Sequence, residues 1–93
     1  DETPARAASF ALRPLAPNPV TGAATFSFEL AEAAAVRLAV YDAAGRKVAT
    51  VAEGHYAAGV HDVPFRAELA PGVYVYRLEA GGEAAARKMV VAE

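Results

Sequence analysis

The amino-acid sequence predicts an all-β fold of about seven antiparallel strands, arranged as a sandwich or a barrel. Three observations carry this. From Phe10 onward the chain is a series of short apolar runs separated by turn signals at about 8–12-residue spacing. One run, ATFSFEL, alternates cleanly, with Ala24, Phe26, Phe28 and Leu30 facing one way and Thr25, Ser27 and Glu29 the other. And no strand–helix–strand spacing exists that would call for parallel pairing.

Each element can be justified in order. Residues 1–9 open with DETPARAA, polar and Ala-rich without an apolar period, and read as a linker from an upstream domain; the folded domain is expected over 10–93. SFALRPL gives a first strand that its proline restricts to an edge. The two prolines of PNPVTG then favour extended or turn backbone over helix. After the alternating strand 24–30, ELAEAAAVRLAV is ambiguous, because its Ala and Glu content favours helix. A helix through Val40 would set Arg37 on the stripe of Leu30, Ala33 and Ala34. A strand over 35–41 instead gathers Val36, Leu38 and Val40 on one face, so a loop at 31–34 and a strand at 35–41 are expected.

The second half is richer in turn signals. In YDAAGRKV, Asp42 opens a hairpin and Gly45 supplies the positive φ that a bulged turn requires. The strand KVATVAE follows, then a loop ending at Gly59 and a strand over 60–65. Pro71 and Gly72 suit the two centres of a type II turn, with a strand over 73–79 directly after. Gly81-Gly82 makes a tight hairpin, and AAARKMVV returns as the final strand.

Composition limits what such a fold can do. Hydrophobic residues make up 55 % of the 93, but 25 of them are Ala, which leaves material for a thin two-layer core. The formal charge of −2 with interspersed signs provides no basic field for nucleic acid. No apolar run approaches the roughly 18 residues that would predict a transmembrane segment. The chain opens at Asp1, which suggests a piece of something longer. Cysteine is absent, which removes disulfides, thiol nucleophiles and thiolate metal sites together.

The remaining chemistry is sparse. Ser9 and Ser27 are the only serines, and neither has a local base or a strained elbow beside it. His55 and His61 are the only imidazoles, and they read as surface or turn residues rather than as metal ligands. Glu29 and Glu32 flank a turn, and Asp42 is better explained as a turn former than as a catalytic carboxylate. Gly81-Gly82 has no following helix N-terminus, so it is no phosphate loop. Tyr41, Tyr56, Tyr74 and Tyr76 could form an aromatic platform for sugar, but Tyr74 and Tyr76 share parity with Leu78 and so read as packing. No catalytic residue, cofactor or metal site is expected, and nothing here argues for an enzyme.

An ordered set of short pieces is more specific. Asn18-Pro19, the strand Phe26–Leu30, Val40-Tyr41-Asp42 with Gly45-Arg46, Leu69–Tyr74, Tyr76-Arg77-Leu78 and Arg87–Val91 follow one another in that order. Together they resemble the C-terminal sorting domain of type IX secretion system cargo. The related immunoglobulin-like domain of flagellar hook-capping proteins shares the Tyr-Asp-x-x-Gly-Arg-x-Val and Pro-Gly-x-Tyr pieces. The likeness runs from about Leu15 to Val91. FRAEL before Leu69 departs from it, since relatives often carry an aromatic followed by Asp, Gly or Asn there.

The resemblance implies an immunoglobulin-like antiparallel β-sandwich with a delivery role. Its partners would be the translocon and sortase at the outer membrane, with an upstream cargo domain in the same chain. The location implied is the cell surface or the medium, reached through the periplasm and outer membrane. Sortase cleavage would fall before Phe10, in PARAAS. The sorting-signal candidates are Arg87, Lys88, Met89, Val90 and Val91, the last as an edge strand that a partner strand can extend. The motif turns are Asp42, Gly45 and Arg46, and Pro71, Gly72 and Tyr74. Two other uses stay open: a carbohydrate- or matrix-binding accessory module, and a structural immunoglobulin-like piece of a surface assembly.

Overall fold

Alternating buried and exposed side chains along the strands divide this chain into two layers that close on one apolar interior. The structure, a computed structural model, describes residues 10–92. It contains β1 (Phe10–Leu12), β2 (Ala16–Thr21), β3 (Ala23–Leu30), β4 (Ala34–Tyr41), β5 (Lys47–Tyr56), β6 (Gly59–Arg66), β7 (Gly72–Ala80) and β8 (Glu83–Val91). The expected linker at residues 1–9 lies outside the described residues.

The first layer is built on β3. Along one edge β6 runs antiparallel, from Leu30 opposite Gly59 to Ala23 opposite Arg66. Along the other, β1 and β2 lie end to end. The second layer has the order β5-β4-β7-β8. Strand β2 joins the layers: Ala16 and Thr21 pair with β3, while Val20 pairs in parallel with Val91 of β8.

Period-2 alternation decides what is buried. Phe26, Phe28, Leu38, Val40, Tyr76, Leu78, Met89 and Val20 are the largest fully buried side chains. The Phe26 ring meets Phe65 and Tyr76 edge-on, at centroid separations of 5.4 and 5.0 Å. Each large apolar side chain buried this way contributes about 1.5–3 kcal/mol, so a thin layer of them suffices. Tyr76 also satisfies backbone at the break between β1 and β2. Its hydroxyl accepts from the Leu15 N–H at 2.9 Å and donates to the Arg13 carbonyl at 3.1 Å. Burial pushes the Tyr76 phenol up, against the opposing pull of the Leu15 N–H and the Arg87 charge.

The all-β sandwich expected from the sequence is present, and the strand at 34–41 replaces the helical alternative. Several details differ from expectation. Proline 14 ends β1, and the APNPVT segment resumes as a separate strand, giving eight rather than seven. Its prolines have no N–H to donate, so β2 pairs with β3 only at its two ends. Its bridge to β8 is parallel, in a sandwich expected to be wholly antiparallel. Strand β5 runs beyond the expected KVATVAE through Gly54 and His55 to Tyr56, so the link to β6 is a two-residue turn rather than a longer loop ending at Gly59. Gly72 has φ of +157° and already pairs with Val91 as the first residue of β7, so Pro71-Gly72 is a strand entry and not a type II turn. Gly81 and Gly82, at φ of +58° and +82°, do form the tight hairpin, with Ala80 opposite Glu83.

Candidate functional site

Strand direction gathers the scattered motif residues. The end of β4, the start of β5, the start of β7 and the end of β8 all fall at one end of the second layer. Tyr41 is opposite Lys47 on one side and Val75 on the other, and Val75 is opposite Lys88. The turn Asp42–Arg46, the Pro71–Tyr74 entry and the segment Arg87–Val91 therefore share one region.

Asp42 makes the first turn. Its Oδ1 accepts from the backbone N–H groups of Ala44 at 3.0 Å and Arg46 at 2.9 Å. Its own carbonyl accepts from Gly45 N–H, and its N–H donates to the Arg46 carbonyl. Gly45 has φ of +88°, the left-handed conformation that closes the bulged hairpin. The Arg46 N–H bond, then the Ala44 N–H bond and the Arg46 charge hold the Asp42 carboxyl below its usual 3.8, against a partial desolvation effect. The Arg46 side chain is 81 % exposed and pairs with Asp42 at 3.4 Å, so it adds little beyond the backbone bonds.

Tyr74 makes the second corner. Its hydroxyl donates to the Ala70 carbonyl, four residues upstream, at 2.6 Å. A tyrosine at the start of a strand bonding back to the preceding connection is the tyrosine corner of immunoglobulin-like sandwiches. The Tyr74 ring is buried, and a Cβ built on Gly72 would stand 3.9 Å from its Cε1. Tyr74 and the inward-facing Tyr76 are therefore packing residues rather than a platform for sugar.

Strand β8 splits its side chains by parity. Met89 and Val91 are buried between the layers. Arg87 shares their parity and lies opposite the buried Tyr76; its Nε donates to the Leu12 carbonyl at 2.9 Å, tying β8 to β1. Lys88 and Val90 point to the outer face. Lys88 forms no ion pair among the described residues.

The expectation that β8 is an open edge needs correction. Asn18 of β2 covers it: its Oδ1 accepts from Val90 N–H at 3.0 Å and its Nδ2 donates to the Lys88 carbonyl at 3.4 Å. Ala92 N–H then donates to the Val20 carbonyl at 2.8 Å. The Asn18 amide thus occupies the backbone groups that a further strand would use, where the prolines of β2 leave its own backbone poor in donors. A partner strand can extend the end of β8 only by displacing β2. Asn18 was visible in the sequence as part of an Asn-Pro pair, but only the fold shows what it holds.

The other sequence candidates are drawn elsewhere. Ser27 donates to Asp62 across β3 and β6, while His61 points to the opposite face. The His61 ring packs against Phe28 and Tyr56, with Nε2 2.7 Å from the Ala57 carbonyl. His55 lies on β5, so neither histidine occupies a turn. Glu29 pairs with Arg13 at 2.8 Å. Among the described residues no group of three His, Asp or Glu side chains is arranged to hold a metal, and no helix is long and apolar enough to cross a membrane.

Residues 15–92 match the family described as the secretion system C-terminal sorting domain. No match was found among functionally curated proteins. Among solved structures, the chain is similar to part of dimeric latent PorU from Porphyromonas gingivalis, with a TM-score of 0.71 at 23 % identity. That likeness covers 88 % of this chain but only 9 % of the PorU chain, so the shared element is a small portion of a much larger protein. A slighter likeness, with a TM-score of 0.46 at 14 % identity, covers 89 % of this chain and 30 % of the alkylpurine DNA glycosylase AlkC from Pseudomonas fluorescens. It is too weak to inform the reading.

Proposed function

This chain belongs to the family of secretion system C-terminal sorting domains, and from that membership we propose that it is a non-catalytic address read by the type IX export machinery. A domain of this family marks the protein carrying it for export through the outer membrane, to the cell surface or the medium. In the finer reading, a cargo domain precedes it in the same chain. The translocon recognises the folded sandwich, and a surface sortase cuts ahead of Phe10 and attaches the cargo to surface lipopolysaccharide.

The family match over residues 15–92 carries this reading. The meeting of Asp42–Arg46, Pro71–Tyr74 and Arg87–Val91 at one end of the second layer supports it, because residues far apart in sequence share one accessible region. Within that region the roles divide. Asp42, Gly45, Gly72, Tyr74, Arg87, Met89 and Val91 shape the region, and Lys88 and Val90 are offered to a partner.

The test is export of a reporter fused ahead of residues 1–93, in a host with a type IX system. The intact fusion should reach the surface or medium, and deletion of residues 87–93 should leave it in the periplasm. Retention of the intact, folded fusion in the periplasm would sink the proposal. Because the deletion also removes the buried Met89 and Val91, folding of each fusion is checked by circular dichroism.

A further inference from the structure

The outer face of the β5-β4-β7-β8 layer is finished differently at its two ends. Toward Gly81-Gly82 its charges neutralise one another: Arg37 pairs with Glu53 at 3.2 Å and Arg77 with Glu79 at 3.3 Å. Toward the Asp42 turn, a row of residues crosses all four strands in register, Lys47–Tyr41–Val75–Lys88. Below it lies the pair Val73 and Val90. Parity places Tyr41, Val73, Val75, Lys88 and Val90 outward, since Val40, Tyr74, Tyr76 and Met89 between them are buried, and the bulge at the start of β5 sets the exposed Lys47 opposite Tyr41. Val73 is 50 % and Val75 38 % exposed, two of three large hydrophobic side chains so exposed among the described residues. Neither lysine has an ion pair among the described residues, and the nearest carboxylate in the turn, Asp42, is engaged by Arg46 and backbone N–H groups.

We propose that this row is the contact surface for an acidic, apolar segment of a protein partner, with apolar side chains on Tyr41, Val73, Val75 and Val90 and carboxylates on Lys47 and Lys88. Charge complementarity selects that occupant. Two cations without an ion pair among the described residues bracket an apolar centre, three strand spacings apart, or roughly 14 Å. A cationic partner would be repelled. A purely apolar one would cover both ammonium groups at a desolvation cost with no compensation. The inference rests on the sorting reading, and it names the surface by which the export machinery engages the domain. It also frees that engagement from any need to open the β2–β8 seam, since the row lies on the sheet face and not at its edge.

The reporter fusion tests it directly. The double substitution Lys47→Glu with Lys88→Glu should reduce export at least tenfold while the far-ultraviolet spectrum and melting temperature of the domain stay close to those of the parent. Arg66→Glu, which reverses one cation that has no ion pair among the described residues, on the other layer and with half the net-charge change of the double variant, should export normally. Lys47→Arg with Lys88→Arg should also export normally. Undiminished export of the folded Glu double variant, beside a retained 87–93 deletion, would overturn this proposal and leave the sorting reading standing. Equal loss in Arg66→Glu would overturn it too, by tracing the effect to net charge. Failure of the parent fusion to export would remove both. A benzophenone amino acid at position 75 identifies the occupant. A protein adduct that forms in the parent and disappears in the Glu double variant supports the assignment, whereas an adduct to lipopolysaccharide would overturn it in favour of a glycolipid.

Discussion

The two ends of the second layer are built from the same four strands, yet they are held by different means. At the Gly81-Gly82 end, a two-residue hairpin turns the chain and exposed ion pairs cover the face. At the Asp42 end, three side chains tie down backbone: Asp42 its own turn, Tyr74 the strand entry, and Asn18 the end of β8. A glycine pair needs only backbone freedom to turn, so that end requires no dedicated side chain. The other end joins β2, β4, β5, β7 and β8 in one place, and local turn chemistry alone cannot fix their relative positions. The lesson is that motif residues here divide into fasteners, which hold the region in shape, and a smaller set whose side chains face outward.

This contrast predicts where substitutions matter. The largest effect should follow Tyr74→Phe, which removes only the hydroxyl and leaves the Ala70 carbonyl without its donor. One such bond is worth about 1 kcal/mol, or roughly 4–8 °C in melting temperature for a domain of this size. Arg77→Ala at the opposite end breaks an ion pair whose partners are 50 % and 41 % exposed. That change should stay within the roughly 0.5 kcal/mol typical of surface sites. Thermal melts of the two variants side by side would break the comparison if Arg77→Ala proved the more damaging.

Asn18→Ala should come next. Two exposed hydrogen bonds are lost, but water can replace both, so about 0.5–1 kcal/mol is expected. Amide exchange gives the sharper readout: the Val90 N–H should exchange faster, while amides of the Gly81-Gly82 hairpin remain as they were. Uniform acceleration across β7 and β8 would show that Asn18 supports the whole sheet rather than the seam to β2.

Much of this contrast is legible in the sequence, and the rest is hidden for identifiable reasons. Alternation placed Phe26, Phe28, Leu38, Val40 and Leu78 in the core, and the glycines at 45, 81 and 82 marked turns that do form. Parity from Met89 also separates Arg87 from Lys88, so their different roles follow once β8 is known to have one buried face. Two things escape a linear reading. The seam of β2 with β8 depends on a side-chain amide and a single backbone bridge, which leave no periodic trace. The row Lys47–Tyr41–Val75–Lys88 depends on register across three strand pairs, including a bulge that shifts Tyr41 onto Lys47. Local pattern fixes which side a residue faces, but long-range register fixes its neighbours.

The smallest expected effect concerns charge alone at the Asp42 turn. Asp42→Asn keeps an oxygen able to accept from the Ala44 and Arg46 N–H groups and removes only the negative charge. The folded-state pKa of Asp42 lies below its usual 3.8, chiefly through the bond from Arg46 N–H, so the ionised form is favoured by folding. The charge therefore contributes stability that is present above pH 3.8 and is lost as pH falls through the lower folded value. Parent and variant should differ slightly in melting temperature at neutral pH, by less than the Asn18→Ala shift, and converge in acid. A gap that persists unchanged below the folded pKa would show that the turn depends on the shape of the aspartate and its hydrogen bonds rather than on its charge, and the fastener at this end would then act by geometry alone.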